Sequence, residues 1–202
     1  MKILSLRGVV LTAAALLASS AAAQTQLRAT PLDGAKAYEL DGYSITSPPG
    51  KNWFELKRDR QSVYLGKRLP SRTHAFIATA VAADITERFE KPEQFREYLE
   101  KLPPDPDDKR TRIVENRADL DGSLGRFCAR TYTRSVDRAA VYSGGKPLPI
   151  ETYGYNCLHP DRPGLAINVS YSERGHPTEM STELRAEGEA FLRSLRFAPR
   201  QP

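Results

Sequence analysis

Polar and apolar residues alternate over much of the first half of the chain, and this pattern predicts half-buried β-strands. Such alternation occurs at residues 43–46 (YSIT), 53–57 (WFELK) and 62–67 (SVYLGK), and a period of two places successive side chains on opposite faces of a sheet. The segment 74–85 (HAFIATAVAADI) is instead apolar at both parities. It is therefore predicted to form a central strand that is covered on both faces.

The hydrophobic period changes to that of a helix in two segments. In residues 91–102 (KPEQFREYLEKL) the apolar side chains form one stripe at i, i+3, i+4 and i+7, namely Phe95, Tyr98, Leu99 and Leu102. Pro92 suits the first turn, and Pro103 ends the helix because proline cannot continue it. A second helix is predicted within residues 177–197, where Gly188 interrupts an apolar stripe formed by Met180, Leu184, Phe191 and Leu195.

Four further strand-like runs complete the chain. They are residues 111–118 (TRIVENRA), 125–136 (GRFCARTYTRSV), 149–157 (PIETYGYNC) and 164–173 (GLAINVSYSE). Short connections, such as the one through Asp121 and Gly122, are typical of antiparallel hairpins. The order of strands, helix, strands and helix predicts an α+β domain in which two amphipathic helices pack on an antiparallel β-sheet.

Two segments carry a resemblance to a known fold. The turn YSITSPPGKNW and the closing EAFLRSLRF, together with the strand order, resemble the PsbP/Mog1-like fold. That resemblance implies a central antiparallel sheet between helices, an α/β/α-sandwich-like arrangement, and a final helix that leads into a short terminal strand. Members mostly act as accessory or binding proteins, and the family supplies no catalytic motif, so the resemblance implies a binding module. The two cysteines of this chain are not part of it.

The N-terminus has the features of an export signal. Lys2 and Arg7 precede a run of apolar and small residues that ends in Ala21-Ala22-Ala23 before Gln24, which is the form of a signal-peptidase site. The apolar stretch is shorter than the roughly 20 residues that a membrane span requires. We therefore predict a signal peptide at 1–23, a loose N-terminal arm at 24–37 and a single α+β domain at 38–202. The mature protein would be periplasmic or secreted, without a membrane span.

The charge pattern argues against a nucleic-acid partner. The whole chain has a formal net charge of +5, and removal of residues 1–23 lowers it to +3 because Lys2 and Arg7 are lost. The remaining basic residues are scattered among acids rather than concentrated in one stretch. Proteins that bind nucleic acids present concentrated basic patches, so a solvated surface of mixed charge is expected.

The only two cysteines, Cys128 and Cys157, each lie inside a strand-like run. In an exported chain a structural disulfide is the expected state of such a pair. Reactive thiols more often occur as CxxC motifs or beside a helix start. The bond would close a long hairpin and contribute about 3–4 kcal/mol on the chain-entropy model.

Parity places a set of tyrosines and arginines on the same face of this hairpin as the cysteines. If the cysteines oppose each other, Tyr132 faces Tyr153 and Arg134 faces Glu151, because antiparallel pairs share one register. Tyrosine and arginine are residue types that anchor interfaces. The predicted binding patch consists of Arg130, Tyr132, Arg134, Tyr153 and Tyr155. The alternative is a cross-strand ladder that only stabilises the sheet.

Motifs for catalysis are absent from the sequence. His74, His159 and His176 lack the spacing of zinc ligands, and there is no G-x-S-x-G or P-loop motif. We expect no metal, no cofactor and no enzymatic activity. The sequence favours an exported, non-enzymatic binding or accessory module of the cell envelope, whose partner is a protein or an envelope component. The alternatives are a secreted inhibitor or immunity protein, acting through the loop SGGKPLP or LPPDPDDKR, and a small hydrolase.

The export signal gives the first testable prediction. Because the charged start, the apolar core and the A-x-A site occur in order, the extracytoplasmic protein should begin at or near Gln24. N-terminal sequencing of the exported protein measures this directly. Recovery of a mature form that still begins with Met1 would contradict the assigned location.

Overall fold

The fold is described from a computed structural model, which covers residues 29–102 and 110–199. The predicted signal peptide, residues 24–28 of the predicted arm and most of the loop LPPDPDDKR lie outside the described residues. Within the described ranges no helix is both long enough and apolar enough to cross a membrane.

The described residues form two helices and eleven strands. The helices are α1 (Pro92–Lys101) and α2 (Thr182–Arg193). The strands are β1 (Thr30–Pro31), β2 (Ala37–Leu40), β3 (Tyr43–Thr46), β4 (Trp53–Arg58), β5 (Ser62–Lys67), β6 (Ala75–Asp84), β7 (Thr111–Leu120), β8 (Cys128–Asp137), β9 (Leu148–Leu158), β10 (Leu165–Arg174) and β11 (Arg196–Phe197).

Eight of these strands form one antiparallel sheet in the order β1-β4-β5-β6-β10-β9-β8-β7. Strands that follow one another in the chain are mostly neighbours, which is the pattern that short hairpin connections produce. The exceptions in this sheet are β1 beside β4, and β6 beside β10, the second of which brings the two halves of the chain together. Strand β6 therefore lies in the middle of the sheet, as its apolar sequence predicts.

The two helices pack on opposite faces of this sheet. Adjacent residues of β8 show this, because successive side chains of a strand point to opposite sides. Cys128 belongs to the main core, which also contains Phe191 of α2. Ala129 belongs to a second cluster with Phe95 of α1. The α+β class and the sandwich-like layering predicted from the sequence are thus confirmed.

The prediction that β6 is covered on both faces is wrong. Phe76, Ala78 and Ala80 on the α2 face are buried, but Ile77 on the other face is 36% exposed. The reason lies in the position of α1, which packs on the distant strand β7. A strand that is apolar on both faces is thus correctly predicted to be central in the sheet, but it need not be fully covered on both faces.

A second sheet, of order β11-β3-β2, was not predicted as a separate unit. Its terminal strand pairs Phe197 with Tyr43, which agrees with the short last strand that the PsbP/Mog1-like resemblance implies. The predicted loose arm also needs correction. Thr30 and Pro31 pair with Glu55 and Phe54 of β4, because hydrogen bonding to this sheet edge ties the arm down.

Helix α2 begins at a serine cap and passes close to the sheet at Gly188. The side chain of Ser181 accepts a hydrogen bond from the backbone N–H of Glu183, which satisfies one of the free donors of the first turn. A Cβ atom at residue 188 would lie 2.4 Å from the ring of Tyr171. The glycine in the apolar stripe therefore permits a close helix–sheet contact. Met180 and Leu195, which the stripe included, lie outside the helix.

The contact at Gly188 can be tested by substitution. Gly188→Ala should lower the free energy of unfolding by about 2 kcal/mol, because overpacking outweighs the roughly 1 kcal/mol that alanine gains in a helix. Gly122→Ala is the matched control, since nothing lies within 4 Å of a Cβ atom built there. Urea unfolding of the two variants measures the difference. An unfolding midpoint of Gly188→Ala at or above that of the native protein would contradict this account.

Candidate functional site

A disulfide closes the open end of the β8–β9 hairpin. Cys128 begins β8 and Cys157 lies near the end of β9, and the bonded pair has a Cα–Cα distance of 4.1 Å. Both residues are buried in the main core. The disulfide expected from the sequence is present, and it holds the two strands in one register because a bonded pair cannot slip.

The register that follows from the paired cysteines is the one observed. The opposed pairs on the α2 face are Arg130 with Tyr155, Tyr132 with Tyr153, and Arg134 with Glu151. The pairing continues without a bulge from Cys128 to Asp137. A bulge would have rotated the later residues out of alignment, so its absence from this ladder brings the predicted side chains together.

A continuous row of aromatic rings crosses the α2 face of the sheet. The ring centroids of successive members are 5.0, 5.3, 5.6 and 5.7 Å apart, in the order Tyr132, Tyr153, Tyr171, Phe76 and Trp53. Aromatic pairs at such distances contribute about 0.5–1.5 kcal/mol each beyond burial. The half-buried Tyr132 at one end is therefore anchored to the fully buried core at the other.

The structure removes one residue from the predicted patch and changes the partner of another. Tyr155 is buried, and its hydroxyl donates to Asp121 at 2.8 Å. It is therefore a core residue, because the loop that carries Asp121 covers it. Arg134 lies opposite Glu151 in the backbone register, but its ion pair is with Glu115 on β7, at 3.9 Å.

Two arginines that the sequence did not single out complete the surface. The guanidinium of Arg117 on β7 lies 4.9 Å from the ring centroid of Tyr132, and that of Arg185 on α2 lies 5.0 Å from that of Tyr153. The parity of β7 could have indicated Arg117, whereas only the packing of α2 places Arg185. We call this region the Tyr–Arg surface. It consists of Arg117, Arg130, Tyr132, Arg134, Tyr153 and Arg185.

Glu151 connects the parts of this surface. It accepts a hydrogen bond from the Tyr153 hydroxyl at 3.0 Å and from the Arg185 guanidinium at 2.9 Å. Burial, followed by the hydrogen bond to Glu151, raises the pKa of Tyr153 to about 12. The pKa of Tyr132 is also raised, mainly by burial. Both phenols are therefore neutral hydrogen-bond donors at physiological pH.

A second carboxylate links α2 to the hairpin. Glu189 accepts from Arg130 at 2.6 Å and from the Tyr171 hydroxyl at 2.9 Å. The ion pair draws Arg130 toward the helix, where its guanidinium still lies 6.0 Å from the Tyr155 ring centroid. The four arginines of this surface each have a carboxylate partner. Three of them, Arg117, Arg130 and Arg185, also lie near a tyrosine ring.

Two of the three histidines have structural contacts. The Nε2 atom of His74 lies 2.8 Å from a Glu173 carboxylate oxygen, and both side chains are buried. The Nε2 atom of His159 lies 2.8 Å from the carbonyl oxygen of Gly42, so it carries the proton and donates. The Nδ1 atom accepts from the backbone N–H of Asp161. Both ring nitrogens of His159 are therefore occupied.

Two clefts lie at the opposite end of the sheet from the β8–β9 tip. One, of about 710 Å³, has charged walls that include Asp41 and Arg162, which form an ion pair at 2.6 Å. The other, of about 820 Å³, is lined by Phe89, Phe127 and Leu158 together with His159. Within the described ranges no group of three or more potential metal ligands comes together.

The other end of the β8–β9 hairpin is held by a buried carboxylate. Asp137 accepts from Arg110 at 2.6 Å and from Arg174 at 2.9 Å, and it also accepts from the backbone N–H of Ala139. Beyond it lies the tip, residues 138–147, which contains most of the predicted loop SGGKPLP. Gly144 and Gly145 have φ angles of +66° and +79°, a left-handed conformation that glycine adopts without strain.

Comparison with known proteins finds distant structural similarity. No family model matches the chain, and no curated protein matches it. Among solved structures, LpqN of Mycobacterium tuberculosis, described as involved in cell envelope biogenesis, has 11% identity and a TM-score of 0.46, over 85% of this chain and 91% of that one. The Ran-binding protein Mog1p of Saccharomyces cerevisiae has 8% identity and a TM-score of 0.43, over 82% and 96%.

These similarities agree with the weak resemblance to the PsbP/Mog1-like fold noted in the sequence. They concern the general arrangement of the sheet and helices, and they carry no information about what this protein binds.

The carboxylate of Asp137, at the tip end of the hairpin, predicts a pH dependence of stability. The hydrogen bond from the Arg110 guanidinium is the main reason that the pKa of Asp137 is lowered to about 2. Burial acts in the opposite direction, and the hydrogen bonds from Ala139 and Arg174 lower the pKa further. A carboxylate with a lowered folded-state pKa stabilises the protein above its unfolded-state pKa. It should lose about 2 kcal/mol of that stabilisation as the pH falls from about 4 to about 2.

Urea unfolding across this pH range should show that loss in the native protein and not in Asp137→Asn. A direct titration of the Asp137 carboxyl carbon by NMR covers the case in which the variant does not fold. An equal loss of unfolding free energy in the two proteins between pH 4 and pH 2 would contradict the account, as would a titration midpoint of Asp137 near 4.

Proposed function

We propose that this protein is a non-enzymatic binding module, exported from the cytoplasm, which holds a protein partner of the cell envelope through its Tyr–Arg surface. The observation that carries the proposal is the pair of half-buried rings of Tyr132 and Tyr153, whose centroids lie 5.0 Å apart at a tilt of 48°, flanked by arginines whose side chains are open to solvent. Arg117 is 61% exposed and Arg134 49% exposed.

The residue types of this surface suit a protein interface. Tyrosine and arginine are enriched among the residues that dominate binding energy. A tyrosine offers a large contact area at a small loss of conformational entropy, and here the aromatic row already holds the rings in place. The surface can therefore bind without first ordering its central side chains.

The ion pairs of the surface can be exchanged for contacts with a partner. Exposed ion pairs contribute only about 0–1 kcal/mol each, and the pair of Arg134 with Glu115 is long, at 3.9 Å. An incoming carboxylate can replace Glu115 at little cost. The partner we propose thus presents an apolar face to the two tyrosines and acidic side chains to the arginines.

The contacts of two histidines in the described part of the chain support a non-enzymatic role. A general base needs a free ring nitrogen or carboxylate within hydrogen-bonding reach of a reacting group. His159 lines the larger apolar cleft, but both of its nitrogens are engaged. His74 lies buried against Glu173. These contacts favour structural roles over the small-hydrolase alternative.

The buried disulfide supports a location outside the cytoplasm. Disulfides persist in oxidising compartments and are rare in the cytosol. The bond between Cys128 and Cys157 joins two strands of the main core. It fits the signal peptide predicted at residues 1–23, which lies outside the described residues.

One substitution distinguishes this proposal from the alternative, a cross-strand ladder that only stabilises the sheet. Tyr132→Ala should weaken partner binding at least tenfold, because it removes a central anchor of the interface. Tyr64→Ala is the matched control, since Tyr64 is also half-buried beneath a cation, Lys57, but lies on β5 away from the surface.

The partner is first identified by a photo-activatable residue at position 134, compared with one at Arg60 on the opposite end of the sheet. Affinities of the native and substituted proteins are then measured by titration, with urea unfolding as the check on folding. Equal affinities of Tyr132→Ala and the native protein, or cross-linking to the same partner only from position 60, would contradict the proposal. An inhibitor or immunity protein would instead bind through the hairpin tip.

A further inference from the structure

The tip of the β8–β9 hairpin exposes two adjacent apolar residues. Val141 is 60% exposed and Tyr142 66% exposed, the highest values among the large hydrophobic residues of the described ranges. Neighbouring residues of the same loop are not exposed, since Ala140 and Ser143 are buried. The loop therefore turns small side chains inward and large apolar ones toward the solvent, the reverse of the usual distribution.

The backbone of the tip holds this arrangement in place. The Ser143 hydroxyl donates to the carbonyl oxygen of Ala140 at 2.9 Å, and the N–H of Lys146 donates to the carbonyl of Ser143. Tyr142 has a φ angle of +69°, which is unusual for an aromatic residue. Strained conformations of this kind persist where the surrounding structure imposes them, and they concentrate at functional sites.

Among the described residues, the charged side chains of the tip and the one that lies over the Tyr142 ring are all basic. Residues 138–147 (RAAVYSGGKP) contain Arg138 and Lys146 and no acid. The guanidinium of Arg72, from the loop between β5 and β6, lies 5.0 Å from the ring centroid of Tyr142. Arg72 and Lys146 form no ion pair with any residue in the ranges that the structure describes.

Two acids of the adjoining segments that the structure describes, Asp137 and Glu179, are engaged elsewhere. Asp137 is buried between Arg110 and Arg174. Glu179 accepts from the Thr73 hydroxyl and from the backbone N–H of His176. The tip therefore presents an apolar pair within a cationic rim.

We propose that the tip of the β8–β9 hairpin, through Val141 and Tyr142 with Arg72 and Lys146, docks the protein on an anionic lipid bilayer surface. Tyrosine is enriched at the membrane–water interface, where its ring lies among apolar groups and its hydroxyl in water. Lysine and arginine beside it are attracted to anionic headgroups. Two apolar residues alone bind weakly, so the attachment is peripheral and depends on the anionic lipid.

This inference goes beyond the proposed function and uses different residues. The Tyr–Arg surface lies on the sheet face beneath and beside α2, whereas the tip extends past the ends of β8 and β9. A protein docked on a bilayer by its tip would leave that surface free for a partner.

The test uses the exported protein, whose N-terminus is first determined. Its co-sedimentation is measured with vesicles of equal parts phosphatidylglycerol and phosphatidylcholine. Binding should fall about tenfold in the double variant Val141→Ser, Tyr142→Ser and roughly fivefold in Lys146→Gln, because both apolar burial and charge contribute. It should also fall in high salt and be absent with phosphatidylcholine alone. Tyr132→Ala, which tests the proposed function, should sediment like the native protein.

A second measurement reports on the tip itself. The emission of Tyr142→Trp should shift to shorter wavelength on addition of the anionic vesicles, because the indole leaves water. Leu120→Trp is the matched control, since Leu120 is an exposed apolar residue at the disulfide end of the sheet, and its emission should not move.

Three outcomes would overturn the proposal: no sedimentation with anionic vesicles, unchanged sedimentation of the double variant, or an unmoved Tyr142→Trp emission in the bound state. Loss of partner binding in the double variant with vesicle binding unchanged would assign the tip to a protein pocket instead. The vesicle and emission outcomes do not bear on the Tyr–Arg surface, whose test is the affinity of Tyr132→Ala.

Discussion

The backbone of helix α2 packs directly against the ring of Tyr171 on β10, because Gly188 has no side chain at the contact. This close approach determines how far the flanking helix residues stand from the strands. Arg185 and Glu189, which lie on either side of the glycine, reach Glu151 and Arg130 of the hairpin. With a larger residue at position 188 the helix would be displaced, and these pairs with it. The arrangement of the Tyr–Arg surface therefore depends on a contact in the core below it.

The β8–β9 hairpin is held at both ends by buried interactions, a disulfide at one end and ion pairs at the other. At the open end the bond between Cys128 and Cys157 is covalent and insensitive to pH. At the tip end Asp137 binds two arginines from other strands, which makes that end dependent on an ionised carboxylate. A long hairpin fixed at both ends keeps its register and projects a defined loop.

Much of the fold follows from periodicity, because the period of two or of 3.6 reports which face of an element is buried. The cysteine pair added a long-range constraint, and parity then aligned Tyr132 with Tyr153 across the hairpin. Burial was harder to predict. Tyr155 has the same parity as Tyr153, yet a neighbouring loop covers one and not the other. Parity specifies a face of the sheet but not what lies over each part of it.

The amino-acid sequence by itself determined most of the strand and helix segments, the disulfide and its register, and the α+β class, because these depend on local periodicity and on one covalent bond. Only the tertiary structure decided the separation of a second sheet, the placement of Arg117 and Arg185 over the tyrosine rings, and the exposure of Val141 and Tyr142. These features arise where segments distant in the chain meet. Their geometry depends on the packing of whole elements, and no local pattern of residues encodes it.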